Sequence, residues 1–247
     1  MDKCLKGKII ILTGANGLLG KEYESTLHKA GAKVIPIDIT PEKGTYCMDV
    51  TDETAIKLMC KDVIEDYDKI DILINNAMYN PKTMDMHCPF EEFSLENWNR
   101  LMEVNLTGPF MLCREVGKQM VKQGYGNIIN VSSTYGVVAP DQRIYDNTGI
   151  NSSVAYGVSK AGIIQLTKYL ASYFGGKGIR VNCLTPGGVL SETTKDESFI
   201  KNYSYRTMLG RMANKKDYCG AILFLCSDAS SYMTGANLII DGGWTAW

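Results

Sequence analysis

The chain has 247 residues, 45% hydrophobic and 21% charged, with a formal net charge of −1. That balance suits a single globular α/β domain with a sizeable core and leaves no basic field for a nucleic-acid partner. No apolar run approaches the roughly 20 residues of a membrane span, and the two histidines and eight cysteines show no metal-ligand spacing.

The opening residues carry no signal-peptide pattern, so a cytoplasmic protein is expected. Residues 8–13 (KIIILT) form a short apolar run rich in β-branched side chains, which reads as a buried strand. Residues 18–30 then have helical character, and KVIPID at Lys33–Asp38 is a second strand. Residues 51–67 predict a helix with Ala55, Ile56, Met59, Val63 and Ile64 along one face. A third strand at 71–74 is followed by a long helix over 98–123. Strands at 127–132, 180–184 and 238–240, with helices at Val154–Phe174 and 218–226, complete the alternation. Apolar strands separated by helices imply an α/β, Rossmann-type, doubly wound parallel sheet covered on both faces. Nothing divides residues 1–247, which read as one dinucleotide-binding and catalytic domain. Irregular segments near 79–93, 136–153 and 188–212 are expected to shape the substrate site, since long connections beside a parallel sheet are often functional.

The first strand ends in Thr13-Gly14-Ala15-Asn16-Gly17-Leu18-Leu19-Gly20. A glycine-rich turn from strand to helix lets backbone N–H groups approach a diphosphate, so Gly14, Asn16, Gly17, Leu18 and Leu19 are candidate cofactor contacts. The spacing is Gly-x-x-Gly-x-x-Gly, and such glycines also serve tight packing alone. Asp38 strengthens the reading. It closes the second strand where a carboxylate accepts both adenosine ribose hydroxyls and repels a 2′-phosphate, favouring NAD(H) over NADP(H). Asp49 and Val50 are read as a second edge of the adenine pocket.

Tyr156 and Lys160 stand four residues apart in a helical segment, so phenol and ammonium share a face. A cation beside a tyrosine favours phenolate, and an acid/base must lose its proton well below the ordinary value of about 10. Y-x-x-x-K alone is a common surface pair, but its context is informative. Ser132-Ser133 ends an apolar strand at the carboxyl edge where ligands sit in such sheets, and a serine there can hold a reacting oxygen. Asn76 and Ala77 end the preceding strand in the same crevice. Asn105 sits inside a helix, where asparagine is locally unfavourable.

Together with Pro186-Gly187 and the tail Asp241-Gly242-Gly243, these residues make the chain resemble the short-chain dehydrogenase/reductase family over almost its whole length. The resemblance implies Asn105, Ser133, Tyr156 and Lys160 as a catalytic tetrad, with Lys160 also binding the nicotinamide ribose. It implies cofactor contacts from Val189 and Ser191, and a homodimer or homotetramer built on the two long helices. Two positions depart from the family pattern: Leu18 stands where a glycine is usual, and Met78 follows Asn75-Asn76-Ala77. The stretch from Ser133 to Tyr156 is long, and it is similar to a flagellin-modification, sugar-pathway branch of the family. Tyr135, Arg143, Tyr145 and Asn147 are then candidate contacts to a hydroxyl-rich small molecule. The activity expected is NAD(H)-dependent interconversion of a secondary alcohol and a ketone on a sugar derivative. The alternatives are a ketoacyl-carrier-protein-type reductase and a non-catalytic dinucleotide sensor.

Overall fold

The structure, a computed structural model, describes residues 3–146, 151–192, 194 and 196–247. Its strands are β1 (Ile9–Thr13), β2 (Lys33–Asp38), β3 (Tyr46–Cys47), β4 (Ile72–Asn75), β5 (Gly126–Val131), β6 (Ile179–Pro186) and β7 (Asn237–Ile240). They form one parallel sheet in the order β3-β2-β1-β4-β5-β6-β7. The direction of strand addition reverses between β1 and β4, and a crevice opens there at the carboxyl ends of the strands. Side chains alternate across β1. Ile9 and Ile11 pack into a core shared with α2 (Glu53–Tyr67), α4 (Gly108–Gln123) and α5 (Val154–Phe174). Ile10 and Leu12 face the opposite core, under α1 (Leu18–Lys29) and α7 (Cys219–Cys226). Among the described residues no helix is long and apolar enough to cross a membrane.

Three elements differ from the sequence expectation. Strand β3 has only two residues and so leaves no apolar run to detect. The helix expected over 98–123 is three pieces: α3 (Leu95–Met102), a π-helical turn at Glu103–Thr107, and α4. Within the irregular stretch 188–212 the chain folds α6 (Glu197–Arg206), capped by the Asp196 carboxylate, which accepts the Phe199 N–H at 2.9 Å.

One core contact yields a stability test. Tyr23 lies wholly buried between α1 and α7, and its hydroxyl has no hydrogen-bond partner among the described residues. Burial pushes its phenol up, which keeps it neutral. Tyr23→Phe removes the hydroxyl at nearly constant volume and relieves a desolvation cost of about 1–3 kcal/mol. The denaturant midpoint is expected to stay level or rise at constant m-value. A clear fall would show that the hydroxyl is paired in solution.

Candidate active site

Strands β1 and β4 end side by side, and Thr13 joins them. Its hydroxyl accepts the N–H groups of Asn76 (3.1 Å) and Ala77 (3.0 Å). The Asn76 amide donates to the carbonyls of Thr13 and Gly14, both at 3.1 Å, so this side chain shapes the glycine turn. Gly14 has φ +65°, and a Cβ there would lie 2.7 Å from the Ala77 Cα. A Cβ on Gly20 would overlap the Gly14 carbonyl oxygen, which is how α1 starts so close above the turn. Helix α1 opens with Gly17 as its cap, no side-chain cap and no acid in its first turn. Its first N–H groups are therefore available to an anion.

Asp38 closes the same turn from β2. One carboxylate oxygen accepts the Asn16 N–H at 3.0 Å and the other the Thr40 N–H at 2.9 Å. The Asn16 side chain is bound to the Thr40 carbonyl and the Thr45 hydroxyl, so it shapes the turn. Asp49 turns toward its neighbours. Burial raises its carboxyl, but the Thr51 N–H and hydroxyl and the Arg100 guanidinium outweigh that and hold it below the usual range. Its carboxylate is thereby engaged by the protein, a narrower role than the adenine contact expected of it. Val50 is buried against Gly108 at the start of α4.

Across the crevice, Tyr156 and Lys160 lie one turn apart on α5. The Lys160 ammonium is 5.8 Å from the Tyr156 ring centroid and donates to the Val131 carbonyl at 2.9 Å. Burial pulls Lys160 down to about 8. Burial also pushes the Tyr156 phenol up, with the Ser133 hydroxyl partly offsetting it and Tyr145 adding to it. The expected lowering of the phenol by Lys160 is therefore not present in this arrangement, because the ammonium is turned to a backbone carbonyl. The two serines divide their tasks. Ser132 donates to the Lys160 carbonyl at 2.7 Å and anchors α5, while Ser133 faces the phenol.

Asn105 lies in the π-helical turn and is buried. Its side-chain oxygen accepts the Tyr79 N–H at 2.6 Å and its nitrogen donates to the Tyr79 carbonyl at 2.9 Å. Both polar atoms bond backbone, so Asn105 positions the segment after β4. That segment carries Met78, whose sulfur receives the Tyr156 hydroxyl at 3.9 Å. Irregular helical turns of this kind are frequent at functional sites.

These groups line a cleft of about 480 Å³. It brings together Gly14, Gly17, Leu18, Leu19, Asn76, Ser133, Tyr156, Lys160, Pro186, Gly187, Val189 and Ser191. Asn16, Asp38, Asp49, Val50, Ala77 and Asn105 support it from outside the lining. Of the expected substrate contacts, Tyr135 and Tyr145 line the cleft with hydroxyls 2.9 Å apart. Arg143 does not. It is 81% exposed and held by both oxygens of Asp141 at 2.7 and 2.8 Å, a local pairing within a tight turn. Asn147 lies outside the described residues. Sequence reasoning missed Asn80, Lys82, Phe199, Tyr203 and Met212, which also line the cleft. Behind them Trp244 stacks on Tyr203 at 4.4 Å and meets Tyr135 edge-on at 6.5 Å. A wider groove of about 620 Å³ runs past Phe90, Val137 and Val158 and, among the described residues, shares Tyr135 alone with the cleft.

Residues 6–245 match the family model described as enoyl-(acyl carrier protein) reductase. A D-threitol dehydrogenase of Mycolicibacterium smegmatis is 33% identical over 99% of this chain and 95% of its own. The post-translational flagellin modification protein A of Campylobacter coli is 32% identical over 97% of this chain and 99% of its own. Among solved structures, a short chain dehydrogenase from Leptospira borgpetersenii with bound NAD+ superposes with TM-score 0.90 at 37% identity, covering 98% of this chain and 94% of that one.

Proposed function

The chain belongs to the short-chain dehydrogenase/reductase family, and we propose that it interconverts a secondary alcohol and a ketone on a sugar or polyol, using NAD(H). The observation that carries this reading is the convergence of Tyr156, Ser133 and Lys160 on one wall of a cleft whose other wall is the glycine turn. When bound, the nicotinamide dinucleotide supplies the hydride acceptor or donor. The turn Gly14–Leu19 and the first N–H groups of α1 suit its diphosphate, and Pro186, Gly187, Val189 and Ser191 suit the nicotinamide end. Ser133 holds the substrate oxygen, and Tyr156 takes or returns its proton. Lys160 holds the ribose hydroxyls and, once its ammonium swings from the Val131 carbonyl toward the phenol, stabilises the phenolate.

The hydroxyls of Tyr135 and Tyr145 give the substrate wall polar contacts suited to further hydroxyls, and burial raises both phenols so that they stay neutral donors. The threitol dehydrogenase relative supports a polyol, and the flagellin-modification relative keeps a sugar-pathway role in view. The ketoacyl reading also has support, from 3-oxoacyl-(acyl-carrier-protein) reductase relatives of Thermotoga maritima and Aquifex aeolicus, 34% and 30% identical to this chain. The test is a panel of polyols, sugar acids and sugar phosphates with NAD+, set against a ketoacyl thioester with NADH and NADPH. Oxidation of a polyhydroxy compound supports the proposal. Reduction of the thioester alone overturns it.

Cofactor choice rests on Asp38. Its carboxylate would meet a 2′-phosphate at close range, so NADH is expected to bind at least about tenfold more tightly than NADPH in calorimetry. Asp38→Ala combined with Ile39→Arg, at an exposed neighbouring position, is expected to narrow or reverse that ratio. Equal binding of the two by the unaltered protein would remove the role given to Asp38.

A further inference from the structure

The segment leaving β4 carries two side chains that the oxidoreductase reading does not use. Asn80 and Lys82 both line the cleft, on the same stretch as Met78, whose sulfur touches the Tyr156 hydroxyl. Pro81 between them disfavours helical backbone at Asn80, and in an extended chain residues two apart fall on one side. The Asn80 side-chain oxygen is shielded from solvent and has no hydrogen-bond partner among the described residues. A buried acceptor without a donor is unfavourable unless a ligand supplies one. Lys82 is exposed at the cleft and forms no ion pair among the described residues. No Asp or Glu is among the described residues that line the cleft, and its other cation, Lys160, is turned to the Val131 carbonyl. The aromatic wall of Tyr135, Phe199 and Tyr203 lowers the local dielectric and strengthens the pull on a negative group.

We propose that Asn80 and Lys82 read the anionic end of a polyhydroxy substrate. Lys82 takes a carboxylate or phosphate, and the Asn80 oxygen accepts a hydrogen bond from an adjacent hydroxyl. This rests on the oxidoreductase reading of the same site and narrows it: the substrate class is an anionic polyol, and a neutral one is the poorer fit.

The test is calorimetry on the full chain saturated with NADH. Tartrate, threonate and threitol share a four-carbon diol core and carry two, one and no carboxylates. Sorbitol 6-phosphate against sorbitol separates phosphate from carboxylate recognition. The anion of at least one series is expected to bind about tenfold more tightly than its neutral partner, and that margin is expected to shrink with added salt. Lys82→Ala should abolish the margin, Lys82→Arg should keep it, and Asn80→Asp should reduce it by placing a carboxylate beside the ligand. The NADH dissociation constant of Lys82→Ala, measured separately, should change by less than about twofold. Neutral polyols binding as well as the anions, no detectable binding of any anion, or a margin that survives Lys82→Ala would each overturn the proposal. So would an equal loss of NADH affinity in Lys82→Ala, which would assign the lysine to the cofactor diphosphate. Binding needs no turnover, so failure of every compound to be oxidised would count against the oxidoreductase reading and leave this result to stand or fall separately.

Discussion

Tyr156→Phe is expected to cut turnover by roughly 10²–10⁴, the cost of a lost acid/base group, while leaving the fold and NADH binding in place. The ring sits at the cleft on α5, and among the described residues its hydroxyl makes a long contact with the Met78 sulfur and a hydrogen bond with Ser133. Removing one oxygen therefore disturbs little packing. KM should change less than kcat, because the proton moves in the transition state and the ground-state contacts to other hydroxyls remain. Circular dichroism and NADH titration check the fold and the cofactor site, and initial rates check the chemistry. Turnover within a few-fold of the unaltered enzyme, with contamination excluded, would remove Tyr156 from the mechanism.

Lys160→Met should show function and stability moving in opposite directions. Lys160 is buried, and burial pulls it down to about 8 from the ordinary lysine value near 10.5. Below pH 8 both folded and unfolded chains hold the proton, so the full penalty for burying the ammonium applies. Between pH 8 and the ordinary lysine value the unfolded chain binds more protons, and stability rises with pH from this group. A methionine of similar length carries no such penalty. With no nucleotide added, Lys160→Met is expected to be about 1–3 kcal/mol more stable at pH 7, after allowing for the hydrogen bond lost at Val131, and the advantage should fade by pH 10–11. NADH should bind more weakly and turnover should fall steeply, because ribose and phenol lose their cation. Equal stability at pH 7 and pH 10 would contradict the buried-ammonium account.

The sheet was legible in the sequence because its strands are buried on both faces and read as unbroken apolar runs, as at Ile9–Thr13 and Ile72–Asn75. The π-helical turn at Glu103–Thr107 was not, because a one-residue slip in hydrogen bonding leaves no periodicity to detect. Asn105 signalled it indirectly, as a poor helix former in a helix. Helix α6 was hidden because its apolar residues Phe199, Ile200 and Tyr203 face a small satellite cluster with Ile144 and Trp244, outside the main cores. The glycine turn, Asp38, Ser133, Tyr156 and Lys160 stood out through residue type and spacing. Of the aromatic wall, Tyr135 and Tyr145 were legible, whereas Phe199 and Tyr203 were not, because they meet the two tyrosines only after folding. Arg143 was misread although its partner Asp141 stands two residues before it, where a short turn brings the pair together. The backbone bonds that the amides of Asn76 and Asn105 make, to the turn and to Tyr79, carry no signal in the sequence.

The most direct test of the central claim follows the hydride. A polyhydroxy compound oxidised in the panel is prepared with deuterium at the carbinol carbon and incubated with NAD+ and the enzyme, and the recovered nicotinamide is examined by mass spectrometry. Direct hydride transfer predicts one deuterium per NADH formed, a slower rate for the labelled compound when chemistry limits turnover, and labelled NADH forming at least about a hundredfold more slowly with Tyr156→Phe. NADH without deuterium, or label transferred equally well by Tyr156→Phe, would contradict it.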